Sequence, residues 1–342
     1  MKIIFCTIST LLLLNVQVSF AQSKPKVWIY TDMSDKSITG TNHMGTVNDP
    51  DDISAMAGYL IMANEFDTKG IVVASTHRNE HKTSANQADW ANDYFGSAYD
   101  SFVHGIGKKL SGFPAKISFQ QSSIKESGER YNPSEVYNSL KVYGTVQALV
   151  DLLKQERDTV NVLCWGSLTE PAILVNYCVA TNQTSLLKKV RFIAHWTHSP
   201  LHQGTPEHPE HVANCREDAA ACAYMKEQAL KGMIQYYELG AIGQHGIVSG
   251  APKGEAYYNQ FKSTPLGKIF VEGKFVQNCV DHSDAATYWV LLQKWGVSLA
   301  DVKSDGTNNV TIEKKNEDTF RIWSKAIHDE LLRRSKLEGD GR

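Results

Sequence analysis

The chain lacks an excess of charge of either sign: 35 Lys and Arg face 37 Asp and Glu, a formal net charge of −2. Without a basic surplus there is no electrostatic reason to expect a nucleic-acid polymer as partner. Beyond the first twenty or so residues no apolar run is long enough to span a bilayer, so no membrane span is expected. Cysteine is scarce, six in 342 residues, and one of these, Cys6, lies in the leader described below. The remaining Cys164, Cys178, Cys215, Cys222 and Cys279 are odd in number, which excludes complete internal pairing in an exported chain. Cys164 and Cys178 sit in apolar segments and read as buried thiols. A Cys215–Cys222 bridge stays open, although on one helix the two would stand two turns apart, too far to join. Repeats, low-complexity blocks and clean linkers are missing as well.

What is present begins with "MKIIFCTISTLLLLNVQVSFAQ": an early Lys, an apolar core through Leu14, and small residues Ser19 and Ala21. This is the pattern of a secretory signal peptide over residues 1–21, cut after Ala21. The mature protein is expected to be exported, periplasmic or secreted, and to form a single domain over residues 22–342. Short apolar strands ("KVWIYTD", "KGIVVAST", "TVNVLCW", "KKVRFIAHW", "GMIQYYEL") alternate with helical segments, one of them running from about Asp51 to Glu65. Such alternation indicates an α/β fold with an open, mostly parallel sheet flanked by helices. Residues 240–280 read as Gly-rich and irregular. Two late helices follow, the last with Phe320, Trp323, Ile327 and Leu331 on a packing face and a frayed tail, "KLEGDGR".

Three carboxylates in "NDPDDISAM" stand out: Asp49, Asp51 and Asp52, directly before an apolar helix. One Asp at a helix start is adequately explained as a cap. Three that repel one another call for solvent, protons or a cation. In open parallel sheets ligands bind beyond the carboxyl ends of the strands. That rule gathers Asp32, the segment Trp165-Gly166-Ser167, and the segment His195-Trp196-Thr197-His198 along the edge where this helix begins. Asp281, His282 and Asp284 precede another apolar helix in the same way. Oxygen donors alone favour Ca²⁺ or Mg²⁺ over Zn²⁺. The five histidines of "HWTHSPLHQGTPEHPEH" match no common zinc spacing.

Four stretches in order resemble the nucleoside hydrolase superfamily, in particular its nucleoside-hydrolase-like branch named after a cellulose-binding protein. They are "YTDMS…NDPDDISAM", "VLCWGSLTEPAILV", "HVANCREDAAA" and, more loosely, "DHSDAATYWVLL". The resemblance covers roughly residues 26–296 and implies Rossmann-like layering and a Ca²⁺ site. Its ligands would be Asp32, Asp52, the Trp165 carbonyl and Asp284. Asp51 and Asn214 would bind sugar. Beside the resemblance, Asn48 is expected to contact substrate, and the histidine-rich run offers Trp196 as a stacking surface and His198 or His211 as acid to the leaving group. Asp32 or Asp49 would act as base, and His282 would face the leaving group.

The sequence departs from the family at Ser34, where a second Asp is usual, at Val212 in place of an acid, and in an insertion over residues 35–47 that is expected to shape the pocket mouth. The expected activity is Ca²⁺-dependent hydrolysis of an N- or O-glycosidic bond, in a nucleoside or small glycoside. It would pass through an oxocarbenium-like transition state, with water supplied by the metal. The alternative is a non-catalytic carbohydrate-binding protein of the cellulose-binding type on the same fold. Partners are therefore a small molecule or an oligosaccharide, and a homo-oligomer is compatible with the sequence.

Overall fold

The computed structural model describes residues 23–74, 87–106, 109–124, 129–203, 208 and 211–339. The expected signal peptide and residues 204–207 and 209–210 of the histidine-rich run lie outside them. Six parallel strands form the sheet: β1 (Lys26–Tyr30), β2 (Asp67–Val73), β3 (Phe119–Gln121), β4 (Val160–Cys164), β5 (Val190–Ala194) and β6 (Gln235–Glu238), in the order β3-β2-β1-β4-β5-β6. Strand order reverses between β1 and β4, where Tyr30 pairs with Cys164 on one side and Val72 on the other. At such a reversal the connections leave toward opposite faces, and a crevice opens beyond the strand ends.

Successive strand side chains point to opposite faces. Val27 and Ile29 therefore join one core with α1 (Asp51–Ile61), α2 (Gln87–Ile106), α7 (Pro265–Glu272), α8 (Ala286–Leu292) and α9 (Val310–Gly339). Trp28 and Tyr30 join the other with α3 (Gly144–Gln155), α4 (Thr169–Ala180) and α5 (Ala219–Leu230). Helix α1 is buried from Asp52 to Ile61, a helix enclosed on all sides rather than an amphipathic one.

Several elements differ from the reading of the sequence. The first helix ends at Ile61, and a 3₁₀ turn covers Ala63–Glu65. Edge strand β3, "FQQ", has a single apolar residue and so no alternation to betray it. Residues 240–280 are ordered: a π-helical turn at Gly243–Val248, α6 (Glu255–Tyr258), α7, and the hairpin of β7 (Phe275–Val276) with β8 (Cys279–Val280). These pieces are too short to be stable alone and are held by packing on α1 and α9. Helix α9 continues through Lys336 to Gly339 where fraying was expected. Its buried stripe runs through Phe320, Ser324, Ile327 and Leu331, which leaves Trp323 at the margin and 41% exposed.

Cys215 and Cys222 form a disulfide, Cα–Cα 5.8 Å. Cys215 ends a 3₁₀ turn ahead of α5 instead of lying on the helix, so the two-turn separation does not apply. Cys164, Cys178 and Cys279 are buried free thiols.

Candidate functional site

β1 ends at Tyr30, and the next two residues build the floor of the site. The Thr31 hydroxyl donates to the Asp52 carboxylate, and the backbone N–H of Asp32 donates to the same oxygen at 3.0 Å. Asp52 thus points back to the strand end. Pro50 precedes α1 with no side-chain cap, so capping does not account for the aspartates. Gly166, after β4, lies where an added Cβ would come within 2.7 Å of the Asp32 Cβ. Only glycine lets the two loops approach this closely.

One oxygen each from Asp51, Asp52 and Asp284 falls within 4.8 Å of the others. Asp284 comes from the turn Ser283–Ala285 leading into α8, 232 residues from Asp52 along the chain. Burial, then the charge of Asp284, then that of Asp51, pushes the Asp52 carboxyl well above the usual range. Asp284 is raised likewise, by burial and then by Asp51. Asp284 Oδ1 is buried with no hydrogen-bond partner. Three converging carboxylates, one of them with an unpartnered buried oxygen, fit a hard divalent cation. Asp32 lines the same cavity but stands outside this trio.

The Asn214 amide donates to the Trp165 carbonyl at 3.1 Å and to the His195 carbonyl at 2.8 Å. It ties the ends of β4 and β5 together at the cavity wall and leaves the Trp165 oxygen one lone pair.

Lys274, which sequence reasoning passed over, is the second centre of the site. Its ammonium lies 2.8 Å from Asp49, 3.0 Å from Asp281 and 3.5 Å from Asp51. Burial alone would lower its pKa, but the three carboxylates outweigh it and raise the group above its ordinary value. Asp49 is pushed up to about 7 and Asp281 to about 6, each by burial and then by the Asp51 charge. Gly273 makes the placement feasible, since a Cβ there would meet Ser54 Oγ at 2.3 Å. The Ser54 hydroxyl accepts from the Lys274 N–H at 2.9 Å. The signal was weak: a lone Gly-Lys seven residues before Asp281.

The cavity has a volume of about 630 Å³. Thr41, Asn42 and His43 from the 35–47 insertion line it, as do His195 and Trp196. His195 Nε2 stands 3.8 Å from Asp284, and burial lowers the imidazole pKa to about 4, so the ring is neutral. Trp196 adopts φ 50°, a left-handed backbone that costs a non-glycine residue roughly 1–2 kcal/mol. Its ring meets His195 and His245 edge-on.

Four residues expected at the site lie off the cavity. Asn48 turns inward and donates to the Asp32 carbonyl. His198 is buried beside Lys226 of α5, 3.2 Å from its ammonium; the left-handed backbone at Trp196 breaks the strand alternation before it. His211 is exposed and stacked on His208. His282 is fully buried, with Nε2 3.0 Å from His328 Nε2 of α9. The next residues of the turn, Ser283 and Asp284, face the cavity instead. Ser34 and Val212 are buried as well.

A second acidic group, His202, Glu313 and Glu317, pins the segment after β5 to α9. Glu313 accepts from Ser199 Oγ at 2.6 Å, from the Ala241 N–H at 2.8 Å and from the Leu201 N–H at 3.2 Å.

No curated protein matches the chain in sequence. A solved nucleoside hydrolase-related hypothetical protein from Saccharophagus degradans, associated with carbohydrate metabolism, superposes with TM-score 0.61 at 16% identity, over 92% of this chain and 72% of that one. A purine-preferring ribonucleoside hydrolase from Gardnerella vaginalis gives TM-score 0.49 at 12% identity, over 92% and 99%. The first of these likenesses establishes the fold. Residues 42–197 match the family described as cellulose-binding Sde182, nucleoside hydrolase-like domain, so the resemblance read from the motifs holds over that segment, and the fold is that of nucleoside hydrolase-related proteins.

Proposed function

We propose that this chain is an exported, single-domain carbohydrate-active protein. Its acidic cavity takes a Ca²⁺ ion and a sugar, and it hydrolyses an N- or O-glycosidic bond of a nucleoside or small glycoside. The observation that carries this reading is the Asp51–Asp52–Asp284 cluster at the sheet's switch point, with an orphaned Asp284 oxygen and an adjoining cavity of about 630 Å³. A divalent cation bound there would supply a grip on adjacent hydroxyls and a more acidic water. Asp32 would accept the proton from that water, and Asp51 would bind a sugar hydroxyl. Trp196 would stack on the sugar or leaving group. Negative charge around the anomeric carbon favours an oxocarbenium-like transition state. The test is calorimetric Ca²⁺ titration together with turnover of ribosides and small glycosides. Turnover that survives both chelation and Asp284→Ala would remove the proposal.

Sugar binding without turnover is favoured by one observation. Ser34, where the resemblance implies a second Asp, is buried and supplies no carboxylate. Saturable oligosaccharide binding with no product from any glycoside would select this reading.

A further inference from the structure

The cavity holds two sets of carboxylates that share Asp51. Asp51, Asp52 and Asp284 form one, and Asp49, Asp51 and Asp281 the other. In the first set Asp284 Oδ1 has no hydrogen-bond partner. The second already surrounds a cation, the Lys274 ammonium. We propose that Lys274 is a built-in cation standing where a second divalent ion would otherwise bind, so that the site takes one ion and Asp51 is held between the two charges. This rests on the reading that the first set binds a cation.

An ammonium has three N–H donors and no acceptor, and Lys274 faces three carboxylates, at 2.8, 3.0 and 3.5 Å. Asp49 and Asp281 engage it at hydrogen-bond distance, and Asp51 adds an ion pair at 3.5 Å. Its charge is held by its neighbours, so it is no nucleophile. The side chain is 8% exposed and that of Asp281 only 2%, so bulk water cannot replace the ammonium cheaply once it is gone. Other basic side chains near the wall do not substitute for it. His43 lies 3.9 Å from Asp49 and its side chain is 64% exposed, and Arg216 lines the cavity with no ion pair to Asp49 or Asp281. Asp51 also accepts from Ser283 Oγ at 3.4 Å, which fixes the shared carboxylate from the α8 side. Lys274 is on this account a positioning residue, and its role is visible in ion stoichiometry before any turnover is measured.

The experiment is calorimetric titration of the whole protein with CaCl₂ near neutral pH, in wild type, Lys274→Met and Lys274→Arg. One ion is expected in wild type, two in Lys274→Met, and one again in Lys274→Arg, which restores the cation. The added site should bind at roughly millimolar strength or tighter, and the thermal midpoint of Lys274→Met should rise more steeply with calcium than that of wild type. One ion of unchanged affinity in Lys274→Met would overturn the inference while leaving the proposed function intact. No ion in wild type would overturn both. If Lys274→Met does not fold, the triple variant Asp49→Asn, Lys274→Met, Asp281→Asn removes the charges together. It is expected to fold and take one ion, and failure to fold or uptake of two ions would overturn the inference.

Discussion

Buried carboxylates occur in two kinds of setting in this protein. Glu170 accepts from Ser122 Oγ at 2.8 Å, from the Ser123 N–H at 3.2 Å and from Thr145 Oγ1. Glu313 is likewise enclosed by Ser199, Leu201 and Ala241. The carboxylates of the switch-point cavity are short of donors: Asp284 Oδ1 and Asp49 Oδ1 have no partner, and Asp51, Asp52 and Asp284 crowd one another. The residue chemistry is the same, but hydrogen-bond supply separates a structural carboxylate from one that needs a ligand. A satisfied buried acid locks two elements together, whereas an unsatisfied one beside a cavity stays costly until something binds.

The comparison is broken most directly at its two poles. Asp284→Ala should weaken Ca²⁺ binding by roughly a hundredfold or more and raise the thermal midpoint of the ion-free protein, since it relieves the repulsion on Asp52. Calorimetry and a melting curve check both. Glu313→Ala should do the reverse: calcium affinity unchanged, stability down by about 3 kcal/mol as the Ser199 and Ala241 donors lose their acceptor, measured by urea unfolding.

Glu238 sharpens the contrast through pH. It is fully buried, accepts from Thr197, Tyr236 and the Gly240 N–H, and is pushed up to about 7 from 4.5, chiefly by burial. A carboxyl whose folded pKa is raised contributes stability below its unfolded pKa and loses it as pH rises through the folded one. Between pH 4.5 and about 7 this amounts to at most roughly 3 kcal/mol. Glu238→Gln should flatten the decline of stability over that window, as read from melting curves at several pH values. The smallest effect is expected for Trp196→Ala: about tenfold weaker sugar binding, with calcium affinity untouched.

Much of this was legible from residue order. Strands β1, β4 and β5 are largely apolar and β2 ends in an apolar run, and the rule that ligands collect beyond parallel strand ends brought Asp32, Trp165 and Trp196 to one edge. Helix starts at that edge drew attention to Asp52 and Asp284, and the family resemblance named them as ligands. Where the reading went astray at His282 and His198, the residue sat one or two steps from one that lines the cavity. His282 precedes Ser283 and Asp284 yet points into the core, and His198 lies two past Trp196 yet turns to α5. In an irregular turn, spacing no longer specifies direction.

Local pattern and strand-end chemistry were enough to determine the layered α/β sheet and the carboxylates gathered beyond its strand ends, because hydrophobic alternation and helix starts are encoded within a few residues; where the strand order reverses is decided by the tertiary fold. Tertiary packing alone decided that Lys274, from a segment that reads as irregular, would be drawn against Asp49, Asp51 and Asp281, that Cys215 would meet Cys222, and which histidines would be core. Each of these depends on contacts between segments whose mutual orientation exists only once the two cores on either side of the sheet have formed.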